Sequence, residues 1–391
     1  MTRTSARLPG SLVPNRLSEA VTRRRAGGEG LADLTQSNPT RAGLAYPPDL
    51  LMPLASADGL VYEPQPFGMT SAREAVVADY WRRGITVGVD RVCLTASTSE
   101  AYAWLFKLLC DPGDRVLVPR PSYPLFEHLT ALECVEASPY ELDLHGHWRI
   151  DVDALARQVD ERTKAVLVVS PNNPTGSVLE RAELDALADV CAASDLVLIG
   201  DEVFADYRLD GQGPAPSVLD QDRAVAVSLG GLSKSIGLPQ VKVAWMALGG
   251  PTAPAARVLA GLEIVADAFL SVSTPAQVAL PRLLADGAAI RDTIRRRTAR
   301  NLTALAAAVA AVPAVTLRPP AGGWCAVLQV PALQNEEALV LDLVERDGVL
   351  VHPGYFFDFP REAFLVVSLL VEPDVFDTAM ARVLARVEEV A

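Results

Sequence analysis

The sequence predicts an α/β protein with a large domain, built on a mostly parallel sheet covered by helices, and a smaller α+β domain. Two observations predict this fold class. Between about 90 and 230, near-continuous apolar runs alternate with amphipathic helical patterns, which is typical of parallel strands buried on both faces. The chain also has 391 residues, which exceeds the size at which a single hydrophobic core usually stops growing, so two domains are expected.

The elements of the large domain follow one another in a regular order. The segment "AYAWLFKLLC" (101–110) has helical apolar spacing and stops at the breaker cluster "DPGD". A second helix, "RAELDALADVCAAS" (181–194), leads into the apolar run "LVLIGDE" (196–202). The other predicted strands are "RVLVP" (115–119), "KAVLVVS" (164–170) and "AVAVSLGG" (224–231). Such sheets bind ligands beyond the carboxyl ends of their strands, so a site is expected there.

The C-terminal part has a different pattern. From about 255 to 311 the sequence is strongly helical. Short strands separated by helices follow: "AVTLRP", "GGWCAVLQVP", "GVLVHPG" and "FLVVSLL", with the helix "NEEALVLDLVERD" among them. The N-terminal 40 residues contain one predicted helix, "PNRLSEAVTRRRA". We therefore expect an arm at 1–45 that packs with the small domain, a large domain at 46–275 and a small domain at 276–391.

Charge and cysteine content exclude several classes of function. The net charge is −13 at pH 7, and the runs "TRRRAGG" and "IRRRTARN" have the pattern of polar helix faces. Neither nucleic acid nor a membrane is therefore expected as a partner. The five cysteines are scattered, which argues against a disulfide framework and a metal site and favours the cytoplasm. Residues 1–30 contain no continuous apolar stretch, so no signal peptide is expected.

Lysine is rare in this chain. It occurs at Lys107, Lys164, Lys234 and Lys242, and the other 31 of the 35 basic residues are arginine. A composition that prefers arginine keeps a lysine mainly by chance or where only a primary amine will serve. Two of the four lie in "GGLSKSIGLPQVKVAW" (230–245), directly after a predicted strand. This segment is therefore a candidate for chemistry that needs an amine.

Three polar residues stand at the ends of three predicted strands: Asn173 in "SPNNPTG", Asp201 in "LIGDEVF", and Lys234. Each alone has a structural explanation as turn chemistry, a helix cap or a solvated loop lysine. Together they fit pyridoxal 5'-phosphate. A buried lysine amine has a lowered pKa and condenses with the aldehyde of this cofactor. Asp201 would keep the ring nitrogen protonated, and Asn173 could hydrogen-bond the phenolic oxygen.

The phosphate of such a cofactor needs hydroxyls, backbone N–H groups near a helix N-terminus, and a cation. The segment "TASTSEAYAW" (95–104) offers Ser97, Thr98 and Ser99 at the start of a predicted helix. Lys242 offers the cation. The sequence therefore contains a candidate for each part of the cofactor.

The order of seven motifs resembles the class I/II aminotransferase family, which has the pyridoxal-phosphate-dependent fold type I. They are "YEPQPFGMTSAREAV", "LTASTSEA", "PRPSYP", "SPNNPTG", "DEVFADY", "GLSKSIGLPQVKVAW" and "VHPGYFF", and they span essentially the whole chain. By this resemblance, Lys234 carries the internal aldimine and shuttles the substrate's α-proton. Asp201 pairs with the pyridinium, Asn173 meets the ring oxygen and Tyr123 stacks on the ring. Tyr62 would reach the phosphate of a partner subunit, which implies a homodimer with shared active sites.

Three departures from the family pattern surround the cofactor. Gly231 replaces a serine three residues before the lysine, which removes a phosphate hydroxyl. Lys242 replaces an arginine, so it supplies charge without the bidentate fork. Phe204 replaces a tyrosine that donates to the ring oxygen, which should make the internal aldimine less acidic.

A fourth departure concerns the substrate. Val366, in "FLVVSLL", stands where the family usually has the arginine that binds the substrate α-carboxylate. Either another group, with Arg41 and Arg361 as candidates, supplies this contact, or the substrate does not present its carboxylate in the usual place. The remaining alternative is an amine donor without an α-carboxylate, or a modified amino acid.

The resemblance implies a pyridoxal-phosphate-dependent aminotransferase that moves an amino group from a donor to an oxo acceptor by a ping-pong cycle. An alternative is another fold-type-I reaction, such as β-elimination, decarboxylation or cyclisation of a specialised amino acid. A third is a non-catalytic cofactor-binding sensor. Against the sensor, no basic helix-turn-helix precedes residue 40, and Lys234, Asp201 and Asn173 are all present.

Overall fold

A computed structural model describes residues 5–9 and 13–391. Its α-helices are α1 (Arg16–Ala26), α2 (Thr70–Arg82), α3 (Thr98–Leu109), α4 (Leu125–Leu132), α5 (Val152–Ala156), α6 (Arg181–Ala193), α7 (Leu232–Ser235), α8 (Thr252–Phe269), α9 (Thr274–Asp286), α10 (Ala288–Ala310), α11 (Glu336–Asp342) and α12 (Pro373–Val390). Its strands are β1 (Ala32–Asp33), β2 (Val92–Thr95), β3 (Arg115–Arg120), β4 (Glu136–His145), β5 (His147–Ile150), β6 (Thr163–Val169), β7 (Val197–Asp201), β8 (Ala226–Gly231), β9 (Ala244–Gly249), β10 (Thr316–Arg318), β11 (Cys325–Gln329), β12 (Val349–Leu350), β13 (His352–Pro353) and β14 (Phe364–Ser368). No helix in these ranges has both the length and the apolar character needed to cross a membrane.

The large sheet has the strand order β2-β9-β8-β7-β6-β3-β4-β5. Strands β8, β7, β6, β3 and β4 are parallel neighbours, whereas β9 runs antiparallel to β8 and β2, and β5 runs antiparallel to β4. The prediction of a mostly parallel sheet is therefore confirmed.

Helices cover both faces of this sheet, as the continuous apolar strands predict. In β6, Ala165 and Leu167 join the core that includes α3 and α8, whereas Val166 and Val168 join the core that includes α6. Successive side chains of a strand point to opposite faces, so both sets need apolar partners. This burial fixes the register of the strands that reach the site.

The C-terminal part contains a second, antiparallel sheet with the order β10-β11-β14-β13. Its apolar face packs with α10 and α12. The N-terminal part lies against this unit: β1 pairs in parallel with β12, and α1 contacts α11. The predicted boundary after residue 275 falls in the first turn of α9, which packs on α2. The division of the chain at 45 and 275 stays a prediction.

The predicted helical stretch at 255–311 is confirmed as α8, α9 and α10. It is interrupted at Leu270, whose φ is +46°, and at Gly287 between α9 and α10. The predicted strand "GVLVHPG" is divided into β12 and β13, which pair with different neighbours. The predicted helix "NEEALVLDLVERD" is α11 continued by a π-helical turn, Leu343–Asp347.

Candidate functional site

The strand-end residues meet at one edge of the large sheet. Asn173 follows β6, Asp201 ends β7 and Lys234 follows β8, and these three strands are parallel neighbours. The carboxyl ends of these strands lie at the same edge of the sheet, so the three side chains line one cavity of about 310 Å³. Other residues predicted from the sequence line the same cavity: Ser97, Thr98, Ser99, Tyr123 and Phe204.

Lys234 lies in α7, and its amine is close to two aromatic rings. Its Nζ is 5.6 Å from the ring centre of Phe204 and 5.1 Å from that of Trp324. Burial lowers the pKa of the amine, although the nearby Cys325 and Asp201 act in the opposite direction. The unprotonated form, which attacks carbonyls, is therefore more populated than for a solvated lysine.

Asp201 is a buried carboxylate with defined donors. Its Oδ2 accepts a hydrogen bond from the Tyr102 hydroxyl at 2.7 Å, and its Oδ1 accepts one from the Val203 N–H at 3.2 Å. Burial raises the pKa of Asp201, and these two donors oppose that shift. The adjacent Glu202 is buried, does not line the cavity and forms an ion pair at 2.7 Å with the partly buried Arg83. Of the two acidic residues, only Asp201 is available to a ligand.

The N-terminus of α3 opens onto the cavity. Ser97 is its N-cap, and the Ser97 hydroxyl oxygen accepts a hydrogen bond from the Glu100 N–H at 3.1 Å. Thr98 and Ser99 occupy the first turn, where backbone N–H groups have no intrahelical acceptor. These N–H groups, the hydroxyls and the positive end of the helix dipole suit an anion such as phosphate.

Packing explains why position 231 is a glycine where the family usually has a serine. Gly231 pairs with Ala244 of β9, and a Cβ at position 231 would lie 3.0 Å from the Ala244 Cβ and 3.3 Å from the Val243 carbonyl oxygen. A serine would require β9 to shift. Ser233, which sequence reasoning did not select, lines the cavity and adds a hydroxyl to it.

Two predicted residues do not line the cavity. Tyr62 is 69% exposed and follows a 3-10 turn, Ala57–Leu60. Lys242 is exposed, with a left-handed φ of +58°. The contacts predicted between these side chains and a phosphate stay predictions.

Val366, which the resemblance places at the position of the family's carboxylate-binding arginine, is not among the residues that line the cavity. Val366 is fully buried in β14, where it packs with Val327, and it does not reach the cavity. Ser368, two residues further along the same face of the strand, lines the cavity instead. Neither Arg41 nor Arg361 is among the lining residues.

Sequence reasoning missed several lining residues: Ser37, Tyr102, Trp324, Cys325 and Ser368. Tyr102 could have been found, because it lies one helical turn after Thr98 on the same face of α3. Nothing in the sequence signals Trp324 and Cys325. They reach the site because Gly176, with φ of +68°, lets their loop approach so closely that a Cβ there would lie 2.2 Å from that of Pro320.

Side-chain donors hold the backbone around the lysine. The Tyr207 hydroxyl donates to the Lys234 carbonyl at 2.6 Å. The Arg291 guanidinium donates to the Ser235 carbonyl at 3.1 Å. The Tyr46 hydroxyl donates to the Gly237 carbonyl at 2.7 Å. Arg291 is itself buried and paired with Asp79 and Asp206, each at 3.3 Å. These hydrogen bonds to its backbone carbonyl groups therefore fix the turn that carries the Lys234 amine.

The donor set fits pyridoxal 5'-phosphate. An amine with a lowered pKa, a buried carboxylate and a helix N-terminus rich in hydroxyls surround one cavity of about 310 Å³, within the range of small-molecule sites. Such a cofactor supplies an electron sink that stabilises a carbanion at the substrate's α-carbon.

The family model for aminotransferase class I and II matches residues 48–383. The chain belongs to this family. An alanine aminotransferase of Mycobacterium tuberculosis is 30% identical over 353 residues, covering 86% of this chain and 81% of that protein. The glutamate-pyruvate aminotransferase AlaA of Haemophilus influenzae is 28% identical over 360 residues, covering 88% and 87%.

Solved structures of aminotransferases share the fold. An alanine aminotransferase from Pyrococcus furiosus superposes with a TM-score of 0.89 at 23% identity, covering 99% of this chain and 100% of that one. This class I/II aminotransferase therefore has fold type I and depends on pyridoxal 5'-phosphate. It transfers amino groups from a donor to an oxo acceptor.

Proposed function

We propose that Lys234 holds the cofactor covalently and moves the proton between the substrate's α-carbon and the cofactor during each half of a ping-pong cycle. The observation that carries this proposal is the meeting of Lys234, Asp201 and Asn173 at the ends of three adjacent parallel strands. The lowered pKa of the Lys234 amine supports it, because an amine must be unprotonated to act as a base near neutral pH.

The other residues of the cavity would bind and orient the cofactor. Asp201 would face the ring nitrogen, Asn173 the phenolic oxygen and Tyr123 the ring itself. Phe204 lies beside the Lys234 amine and has no hydroxyl that could donate a hydrogen bond. The N-terminus of α3, with its three hydroxyl residues, would hold the phosphate, and we propose that Lys242 supplies the cation.

The substrate end of the cavity lacks a spare cation. Among the described residues that line it, the charged side chains are Lys234 and Asp201, and both are needed by the cofactor. The remaining walls are apolar or neutral, with Leu129, Trp324 and Ser368 among them. A buried carboxylate needs a charged partner or several donors. We therefore propose a donor without a free α-carboxylate, such as an amine or a modified amino acid, in contrast to the amino acids that the relatives' names state.

Replacing Ser37 tests this proposal, because Ser37 is exposed and lines the cavity. The holoenzyme is mixed with L-phenylalanine, its amide and phenethylamine, and formation of pyridoxamine phosphate is followed by absorbance. The wild type should prefer the amide or the amine. The Ser37→Arg variant should raise the relative rate with free phenylalanine by about 10-fold, because it adds a cation that can hydrogen-bond the carboxylate.

Ser37→Gln is the matched control, since it adds length without charge and should leave the preference unchanged. A wild type that prefers free phenylalanine over both neutral analogues would disprove the proposed donor class. Release of an oxo product and ammonia from a single substrate, without pyridoxamine phosphate, would instead support elimination.

An apolar strip on the surface supports a homodimer. The strip consists of exposed side chains near the 3-10 turns at 52–60 and the end of α8: Met52, Leu60, Val61, Tyr62 and Phe269. Tyr62 and Leu270, which follows Phe269, line the same groove. Isolated monomers seldom expose such a strip, so we propose that a second copy covers it and that Tyr62 reaches the partner's phosphate site.

The Leu60→Glu/Val61→Glu double variant should weaken the dimer at least 10-fold, because it buries charge in an apolar contact. Light scattering after size exclusion, over a dilution series, measures the mass. Leu333→Glu is the control, since Leu333 is 67% exposed but lies outside the strip. A wild type with the monomer mass at micromolar concentration would rule the dimer out.

We also retain two proposals from the sequence: the three-part division at 45 and 275, and a cytoplasmic location. The second is supported by the free state of all five cysteines in the described ranges.

A further inference from the structure

The hydroxyl of Tyr102 donates to Asp201 from the interior of α3. The two oxygens are 2.7 Å apart, and only 3% of the tyrosine is exposed. Burial holds the pKa of Tyr102 well above its ordinary value, so the hydroxyl keeps its proton and remains a donor. The contact is thus a charge-assisted hydrogen bond between two buried side chains.

The tyrosine ring has little freedom to move. It is stacked on Phe106, with ring centres 6.0 Å apart, and meets Phe126 edge-on at 5.4 Å. The second carboxylate oxygen of Asp201 accepts from the Val203 N–H. Both oxygens of Asp201 are therefore fixed, and the carboxylate has one orientation relative to the cavity.

We propose that Tyr102 is a positioning residue that keeps the Asp201 carboxylate ionised and aimed at the pyridine nitrogen of the cofactor. Without this donor, the Val203 N–H would be the one remaining hydrogen-bond donor that, with the charge of Lys234, opposes the cost of burial and the repulsion from Glu202. This inference rests on the proposed role of Asp201, and its test separates the two.

The Tyr102→Phe variant removes the hydroxyl and keeps the ring. The apoenzyme is titrated with pyridoxamine 5'-phosphate, which binds without a covalent bond, and tryptophan fluorescence reports its Kd. We expect about 10-fold weaker binding, the usual effect of losing a hydrogen bond to a charged group. The acid limb of kcat/KM should also move to higher pH, because the pKa of Asp201 rises when it loses a donor and activity requires its ionised form.

Tyr140→Phe is the matched control. Tyr140 is 2% exposed, its hydroxyl donates to the Leu167 carbonyl at 2.9 Å, and it does not line the cavity. This variant should lower stability to a similar extent while leaving the Kd and the acid limb unchanged.

Combining Tyr102→Phe with Asp201→Asn completes the test. If Tyr102 acts through Asp201, it should add little to the Kd measured for Asp201→Asn alone. The inference is overturned if Tyr102→Phe changes only thermal stability, or if its effect on Kd is unaltered in the Asp201→Asn background. If Asp201→Asn itself leaves the Kd and the acid limb unchanged, the role of Asp201 fails as well.

Discussion

Replacing Lys234 by alanine should lower the rate of amino transfer by about 10⁴-fold or more, because one substitution removes both the nucleophile and the base. The absorbance of covalently bound cofactor near the visible edge should vanish. Lys234→Arg should be equally inactive, since a guanidinium keeps the charge but stays protonated. Stopped-flow absorbance with an excess of donor measures the half-reaction, and mass spectrometry after borohydride reduction locates the modified residue.

Lys107→Ala is the control for this experiment. Lys107 is exposed, forms an ion pair with Glu133 and lies away from the cavity, so its loss should change neither absorbance nor rate. Modification of another lysine by borohydride, or an unchanged spectrum in Lys234→Ala, would refute the assignment.

Asp201→Asn should lower the rate of the half-reaction by at least about 100-fold, the usual cost of removing a buried group that stabilises charge in the transition state. The amide keeps the size of the carboxylate but cannot hold a protonated ring nitrogen. In the wild type, burial raises the pKa of Asp201, so protonation of the same carboxylate should produce the acid limb of kcat/KM. That limb should disappear in the variant, which a pH series of kcat/KM measures.

Glu202→Gln provides the contrast, because the two acidic residues are adjacent in sequence but face different surroundings. It leaves Arg83, whose side chain is 13% exposed, without a charged partner, so the free energy of unfolding should fall by about 3 kcal/mol. Turnover per folded molecule should be retained. If the two variants lose activity equally at full folding, the separate roles assigned to Asp201 and Glu202 are wrong.

The meeting of Asn173, Asp201 and Lys234 could be predicted from the sequence for a physical reason. Each follows an apolar strand, and parallel strands in one sheet bring their carboxyl ends to one edge, so local patterns suffice. The helix start at Ser97 could be predicted in the same way, because a serine followed by a glutamate three residues later is a capping pattern.

Other parts of the site depend on contacts between distant segments, which no local pattern encodes. Trp324 and Cys325 come from the second sheet and reach the cavity only through the close approach of two loops at Gly176. A motif comparison places Val366 in β14, but it does not show which residues of that strand reach the edge of the cavity. That edge depends on the pairing of β14 with β11 and β13.

The three donors on the lysine turn have a consequence for the order of events during synthesis. Tyr46 and Tyr207 precede the turn in the sequence, whereas Arg291, which donates to the Ser235 carbonyl, is encoded 56 residues after Ser235. A nascent chain that has exposed Lys234 therefore still lacks part of the frame that fixes this turn. The aminotransferase should gain its full affinity for pyridoxal phosphate only after α10 has left the ribosome.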